Sequence, residues 1–226
     1  MSVVTPARPP ATAPPERGRR PWGGIIGRLF AAVLCLGFVL ALHRIFVASG
    51  PGQRLDNSAA ESTTGHTLSG GLGDVFLSGV SLPILLGGVL LAVVIALVRR
   101  RPGEAVGVLV LMAGANLTTQ VLKHALLDRP DLGVTLDLAN SFPSGHTTAA
   151  AGIAAVFVLV TAARWRPLVL LIGGVSAGLA GWATLTNGWH RPSDVVAAFG
   201  VVAAWYFFIR ALLMLGHREG RTDAGV

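Results

Sequence analysis

Charged side chains are scarce in this sequence, and their scarcity excludes an ordinary soluble domain. Only 13% of the 226 residues are charged and 52% are hydrophobic, whereas soluble domains carry roughly 25% charged residues. The chain also has a single cysteine, Cys35, which excludes an internal disulfide. Because the apolar residues come in blocks, the composition predicts an integral membrane protein.

Six apolar blocks are close to the length of about 20 residues that a bilayer-spanning helix needs. The predicted spans are Gly24–Ala48, Val75–Val98, Ala105–Leu127, Thr147–Ala163, Pro167–Asn187 and Ser193–Leu215. We therefore predict an all-α, polytopic membrane helix bundle with about six transmembrane helices, forming one domain over residues 24–216. Residues 1–23 are rich in Pro, Ala and Arg without an apolar face, so we expect a disordered tail. Residues 217–226 form a second predicted tail.

The distribution of the basic residues, which give a net charge of +7, indicates the membrane topology, because these residues lie at the ends of the apolar blocks. A nucleic-acid-binding protein would carry a basic stripe on a soluble face, so nucleic acid is excluded as a partner. The positive-inside rule places the more basic ends in the cytoplasm. These ends contain Arg17, Arg19, Arg20, Arg28, Arg99 to Arg101, Arg164, Arg166, Arg210, Arg218 and Arg221. We therefore predict a multi-pass cell-membrane protein with both termini in the cytoplasm.

With this topology, three polar segments meet at the outer ends of the helices. They are KHALLDRP at residues 123–130, FPSGHTT at residues 142–148 and GWHRPSD at residues 188–194. Polar groups at membrane depth are costly and mark a functional site by default. The external loop from Gly50 to Gly73 is either a flexible segment or a cover over this site. Four polar residues of the third span make either interhelical hydrogen bonds or substrate contacts: Asn116, Thr118, Thr119 and Gln120.

The first two segments offer groups that bind anions. Lys123, the only lysine in the chain, and Arg129 can hold an oxyanion near the outer surface; alternatively, Lys123 only snorkels to the interface. The Ser144 and Gly145 amides at a helix start form an anion site together with the helix dipole. His146 stands at the rim of that site, where it either gives a proton to a leaving group or has no chemical role.

The third segment combines His190 with Asp194, four residues later. This spacing lets the carboxylate accept the Nδ1–H of the imidazole, which leaves Nε2 free as a nucleophile. The alternative is an incidental pair at the membrane interface. Together the three segments predict a phosphoryl-transfer site without an evident set of metal ligands and without a cofactor.

The order Lys then Arg-Pro, Pro-Ser-Gly-His and His-x-x-x-Asp resembles the type 2 phosphatidic acid phosphatase superfamily, over residues 123–194. The resemblance implies that His190 attacks phosphorus and forms a phosphohistidine. It also implies that Asp194 orients His190, that His146 protonates the leaving group, and that no divalent metal is needed. The phosphate-binding residues that it implies are Lys123, Arg129, Ser144 and Gly145.

The sequence departs from the family pattern at two points. Five residues separate Lys123 from Arg129 where the family usually has six. The third motif usually opens with Ser-Arg, whereas this chain has Ala183 and Thr184. Losing such a charged donor costs about 3 kcal/mol of transition-state stabilisation. Arg191 is a candidate to replace it as a phosphate-binding residue; the alternative is that Arg191 points to lipid headgroups.

The predicted function is a membrane lipid phosphatase acting on a phosphate or pyrophosphate monoester of a lipid at the outer face. Polyprenyl pyrophosphate, phosphatidic acid and phosphatidylglycerol phosphate are candidate substrates among which the sequence does not choose. The rival prediction is a catalytically weakened protein that binds or transports a lipid phosphate on the same scaffold. Vanadate-dependent oxidation, found elsewhere in the superfamily, fits a membrane-embedded chain poorly. The sequence does not determine the oligomeric state.

Overall fold

The chain is all-α over the residues that the computed structural model describes, which are 22–64, 81–134 and 139–216. The helices are α1 (Trp22–Leu42), α2 (Gly50–Thr63), α3 (Leu82–Val98), α4 (Pro102–Val121), α5 (Gly145–Val160), α6 (Arg166–Thr186) and α7 (Pro192–Gly216). Two π-helical turns, His43–Val47 and Leu122–Leu126, continue α1 and α4. A short 3-10 turn, Ala163–Trp165, precedes α6. The predicted all-α bundle is confirmed.

Six of these helices correspond to the six predicted spans. With their flanking turns, α1, α4, α6 and α7 are long and apolar enough to cross a bilayer, and α3 and α5 are shorter apolar helices. The prediction starts the second span at Val75, whereas α3 begins at Leu82, and residues 75–80 lie outside the described ranges. The predicted tails also lie outside these ranges, apart from Trp22 and Gly23, which open α1.

Large apolar side chains cover the outside of the bundle. On α1, for example, Ile26, Phe30 and Val33 are 62%, 62% and 65% exposed. Lipid tails are as apolar as these side chains, so a bilayer imposes no cost on leaving them outside. The exposed apolar surface therefore fits a membrane protein.

Glycine residues let the site-bearing helices approach closely. A Cβ on Gly181 of α6 would lie 2.6 Å from Cγ1 of Val195 and 3.4 Å from Oγ1 of Thr147. Because no side chain intervenes, α6 meets the first turns of α5 and α7 at this point. The contact brings together the helix ends that carry the PSGH and HRPSD sequences.

A basic turn lies at the opposite end of α5 from the PSGH sequence. Nη1 of Arg99, between α3 and α4, donates a hydrogen bond to the carbonyl oxygen of Val160 at the end of α5. Gly145 begins the same helix. The basic turn and the polar segments therefore lie at opposite ends of α5, and we call the end with the polar segments the polar-cluster end of the bundle.

The sequence predicts either a flexible segment or a cover over the site at residues 50–73. The structure instead has the helix α2 at Gly50–Thr63. Ser49 caps this helix by accepting a hydrogen bond from the Gly52 amide at 3.1 Å. A Cβ on Gly52 would lie 1.7 Å from the carbonyl oxygen of Ile45, so only glycine lets α2 pack against the π-helical turn after α1.

The buried face of α2 is polar. Gln53, Asp56 and Asn57 are all buried, although α2 has few apolar residues. Nε2 of Gln53 donates to the carbonyl oxygens of Val47 at 2.7 Å and Pro130 at 3.0 Å. Residues 50–63 are therefore an ordered helix fixed to the polar-cluster end of the bundle; residues 65–73 lie outside the described ranges.

Candidate active site

His190 and Asp194 occupy the connection between α6 and α7. The turn passes through Gly188, whose positive φ of 69° suits glycine. The amide of His190 then donates to the carbonyl oxygen of Thr184 at 3.3 Å. Pro192 opens α7 and places Asp194 in its first turn. Nδ1 of His190 lies 3.2 Å from Oδ2 of Asp194, and both side chains are buried, so the contact predicted from the i, i+4 spacing is present.

The carboxylate of Asp194 is held by two further donors. Its Oδ2 accepts a hydrogen bond from Oγ of Ser141 at 2.6 Å and from the Arg191 amide at 2.9 Å. Its Oδ1 is buried and has no hydrogen-bond partner among the described residues. Bound in this way, the carboxylate fixes the orientation of the His190 ring.

The PSGH segment docks directly onto the start of α7. The Ser144 amide donates to the carbonyl oxygen of Asp194 at 3.0 Å, and Phe142–Pro143 is a cis peptide bond. Ser144 is the N-cap of α5: its Oγ accepts from the Thr147 amide at 3.3 Å and from the Thr147 hydroxyl at 3.0 Å. The predicted phosphate-binding serine is thus fully buried and caps a helix.

His146 follows at the surface of the site. It lies in the first turn of α5 and is exposed, with its ring 5.5 Å from the Trp189 ring between centroids. The aromatic neighbour limits the orientations of the imidazole without enclosing it. His146 is therefore accessible to a group that enters from the membrane surface.

Lys123 is carried by the π-helical turn at the end of α4. Asn140, in the loop before α5, donates hydrogen bonds to the carbonyl oxygens of Lys123 at 2.9 Å and Leu127 at 2.5 Å. The π-helical turn ends at Leu126, and Leu127 is extended, with φ −122° and ψ 123°, so the chain leaves the helix between Lys123 and Arg129. A loop that precedes Arg129 can absorb the one-residue difference from the family spacing.

An open pocket of about 360 Å³ joins these groups. Its lining residues are Leu85, Gln120, Lys123, Gly145, His146, Ala149 and His190. The structure therefore brings four of the predicted site residues to one cavity. Gln120 is an addition to this set: a Cβ on Gly145 would lie 3.6 Å from its Nε2. For Thr119, the predicted interhelical hydrogen bond is confirmed by a 3.0 Å contact with Thr148.

Arg129 and Arg191 lie elsewhere in the site. Neither lines the pocket; both are buried and meet at Oδ1 of Asn57, at 3.2 Å from Nη2 of Arg129 and 2.6 Å from Nε of Arg191. Nη1 of Arg191 also donates to Oγ of Ser141 at 3.0 Å. Arg191 does not point to lipid headgroups, since its side chain is inside the protein.

Asp56 of α2 binds the start of α7. Its Oδ1 accepts from the Ser193 amide at 3.0 Å and its Oδ2 from the Ser193 hydroxyl at 2.6 Å. Burial raises the pKa of the Asp56 carboxyl, and the hydrogen bonds from Ser193 act in the opposite direction. Sequence reasoning missed Asp56, Asn57 and Ser141. Asp56 and Asn57 lie on the polar buried face of α2 and Ser141 lies in a loop, so none of the three is marked by an apolar periodicity.

Thr184 stands where the family usually has a phosphate-binding arginine. Its side chain is fully buried, and its hydroxyl donates to the carbonyl oxygen of Gly181 at 2.7 Å within α6. Among residues 22–64, 81–134 and 139–216, no group of three or more His, Cys, Asp or Glu side chains is placed to hold a metal ion.

The fold and the site together define a membrane-embedded helical protein with a buried His–Asp pair beside an open pocket that Lys123 and His146 also line. The family model of the PAP2 superfamily matches residues 104–218, about half of the chain. The chain belongs to the PAP2 superfamily, a phosphatase family, and the predicted resemblance is confirmed.

A solved structure shows the same architecture. The crystal structure of the first transmembrane PAP2 type phosphatidylglycerolphosphate phosphatase from Bacillus subtilis aligns with a TM-score of 0.65 and 22% sequence identity. The alignment covers 81% of this chain and 96% of that chain. At this identity the likeness shows the shared fold. The comparison with curated proteins gave no match.

Proposed function

We propose that the protein is a membrane lipid phosphatase that hydrolyses a phosphate or pyrophosphate monoester of a lipid through a phosphohistidine at His190. The observation that carries the proposal is that His190, His146, Lys123 and Gly145 line one and the same pocket. Asp194 is hydrogen-bonded to His190 from behind. This pocket supplies a nucleophile, an acid and donors for phosphoryl oxygens, which are the parts of a phosphoryl-transfer site.

In the first step, Asp194 accepts the Nδ1–H of His190 and leaves the Nε2 lone pair to attack phosphorus. The N–P bond forms as the bond between phosphorus and the leaving oxygen breaks, and His146 gives its proton to that oxygen. The leaving oxygen is the lipid alkoxide oxygen of a phosphate monoester or the bridging oxygen of a pyrophosphate, in which case a lipid monophosphate departs. In the second step, His146 takes a proton from water, whose oxygen attacks phosphorus. The N–P bond breaks, inorganic phosphate leaves, and both histidines return to their starting states.

Lys123 and the Gly145 amide are the proposed direct contacts of the phosphoryl oxygens, since both line the pocket. The Gly145 amide lies at the N-terminus of α5, where the helix dipole favours an anion. Arg129 and Ser144 are included as phosphate-binding residues because of the family resemblance, although neither lines the pocket. The contacts of Arg191 with Asn57 and Ser141 favour a positioning role over the phosphate contact expected from the sequence.

The position of the pocket favours a lipid substrate on the outer face of the membrane. Leu85 and Ala149 give the pocket an apolar side next to its polar groups. The basic turn at Arg99 lies at the opposite end of α5, and the positive-inside rule places that end in the cytoplasm. The phosphate group of a lipid then reaches His190 at headgroup depth, while the hydrocarbon chains of the lipid stay in the bilayer. Both termini are cytoplasmic in this proposal.

The test is phosphate release by the purified protein in detergent with EDTA, from polyprenyl pyrophosphate, phosphatidic acid and phosphatidylglycerol phosphate. We expect release from at least one lipid, unaffected by EDTA. His190→Ala abolishes it, whereas His124→Ala, an exposed histidine outside the pocket, retains it. No release from any lipid by the folded protein would contradict the proposal.

The buried Thr184 favours one second candidate, a protein that binds or transports a lipid phosphate without turnover. In that case the cation needed for the transition state is missing while Lys123 still binds the anion. Equal binding of a lipid phosphate by the wild type and by His190→Ala, with no phosphate release by either, would support this candidate.

A further inference from the structure

One side-chain oxygen on α2 accepts hydrogen bonds from two buried arginines. Oδ1 of Asn57 accepts from Nε of Arg191 at 2.6 Å and from Nη2 of Arg129 at 3.2 Å. The three residues come from three separate segments, and each side chain is buried. A buried guanidinium requires acceptors because it has five N–H donors and no lone pair. Asn57 therefore fixes the direction of both side chains.

The contacts of Arg191 continue to the proposed nucleophile. Nη1 of Arg191 donates to Oγ of Ser141 at 3.0 Å, and Oγ of Ser141 donates to Oδ2 of Asp194 at 2.6 Å. That oxygen in turn lies 3.2 Å from Nδ1 of His190. A continuous chain of hydrogen bonds thus runs from Asn57 to His190.

The direction of every bond in this chain is fixed by chemistry. Arginine only donates, so Ser141 must accept from Arg191 and has its single hydrogen left for Asp194. The carboxylate oxygen then accepts from Ser141, and the His190 nitrogen that faces it carries the hydrogen. The chain therefore holds His190 in the tautomer whose Nε2 lone pair is free.

The position of Asn57 does not depend on the arginines. The neighbouring Asp56 holds α2 to Ser193 at the start of α7, and Gln53 holds it to Pro130 in the loop of Arg129. The polar face of α2 is thus fixed on both sides of the site. Asn57 lies outside residues 104–218, the part of the chain that matches the PAP2 family model.

We propose that Asn57 is a positioning residue for the reaction, which aligns the His190–Asp194 pair through Arg191 and Ser141. The inference rests on the proposed function, because it assigns His190 as the nucleophile. It also explains why Arg191 is turned away from the pocket. In this account α2 is a structural part of the active site.

The variant Asn57→Leu removes the acceptor at similar volume, and Asn57→Asp keeps an acceptor oxygen. We expect Asn57→Leu to lower kcat about tenfold or more, because a small misplacement of the nucleophile is costly to the rate, with little change in KM. Asn57→Asp keeps most of the activity. Ser58→Ala is the matched control, since Ser58 is exposed on the same helix and its hydroxyl donates to the Leu55 carbonyl oxygen of that helix at 2.9 Å.

A second readout does not require turnover. Diethyl pyrocarbonate carbethoxylates the free lone pair of an imidazole, and the rate at His190 is followed by peptide mass spectrometry. We expect this rate to fall in Asn57→Leu and to be restored in Asn57→Asp. If the wild type releases no phosphate, the proposed function fails while this readout still decides the role of Asn57.

Ser141→Ala interrupts the same chain closer to Asp194 with a smaller change of volume, so it serves if Asn57→Leu does not fold. The proposal predicts that the two substitutions combined lower kcat by less than the product of their separate effects, because both act through one chain. Wild-type kcat and wild-type carbethoxylation of His190 in folded Asn57→Leu, or in folded Ser141→Ala, would overturn the proposal.

Discussion

Nδ1 of His190 and Oδ2 of Asp194 lie 3.2 Å apart where α6 turns into α7. The carboxylate oxygen also accepts from Ser141 and from the Arg191 amide, so the hydrogen of the histidine contact belongs to His190. His190 lines the pocket, and with the hydrogen on Nδ1 the lone pair of its Nε2 is free. This relationship leads directly to the prediction for Asp194.

Replacing Asp194 with asparagine removes the carboxylate and lets an amide N–H face the imidazole, which favours the wrong tautomer of His190. We expect kcat for lipid phosphate hydrolysis to fall by about 10²- to 10⁴-fold. The matched control is Asp131→Asn, because Asp131 is exposed and its Oδ1 accepts from the nearby Gly133 amide at 2.9 Å. Activity of Asp194→Asn within twofold of the control would show that the pair is structural.

Replacing His146 with glutamine removes the acid proposed for the leaving group. The loss of kcat/KM, which reports the first step alone, should be about 10²- to 10⁴-fold for a lipid alkyl phosphate, whose alkoxide needs a proton. It should be much smaller for nitrophenyl phosphate, whose leaving group is stable without one. Comparing the two substrates tests the proton transfer to the leaving group. Equal losses of kcat/KM for the two would contradict the assignment of His146 as the acid.

Replacing Lys123 with methionine removes a cation from the pocket while keeping a similar apolar stem. We expect kcat/KM to fall by about 10²- to 10³-fold, since the charge opposes the negative phosphoryl oxygens in the transition state. Arg44→Met is the control, because Arg44 is exposed at the end of α1. An unchanged kcat/KM would mean that Lys123 only reaches the membrane interface.

The single native cysteine allows a direct test of topology. In a Cys35→Ala background, Ser58→Cys on α2 should react with a membrane-impermeant maleimide in intact cells. Arg101→Cys, in the basic turn before α4, should react only after permeabilisation, because the positive-inside rule places that turn in the cytoplasm. The reverse pattern of labelling would place the site on the cytoplasmic face.

The bundle and the contact between His190 and Asp194 could be predicted from the sequence because both have local signals. Apolar blocks identify the spans by length, and the spacing of His190 and Asp194 is a property of one helix start. The grouping of Lys123, Gly145, His146 and His190 followed from topology, since alternate helix connections return to the same membrane face.

The contacts that hold the site residues in place could not be predicted from the sequence, because they join segments that are far apart in the chain. Asn57 bonds to Arg191 from 134 positions away, and the buried face of α2 is polar, so no apolar periodicity reveals it. The motif likewise does not show that Ser144 is a buried helix cap. The inward direction of Arg191 follows from Asn57 and Ser141, neither of which belongs to a motif.

The central claim is that His190 carries the phosphoryl group, and trapping the phosphoenzyme tests it most directly. The purified protein, mixed with a lipid substrate radiolabelled in its phosphate and quenched in alkali, should retain label on the peptide containing His190. The label should be lost on mild acid treatment, as expected for a phosphohistidine, and should be absent from His190→Ala. Phosphate release without any labelled protein intermediate, or label on another residue, would contradict the account.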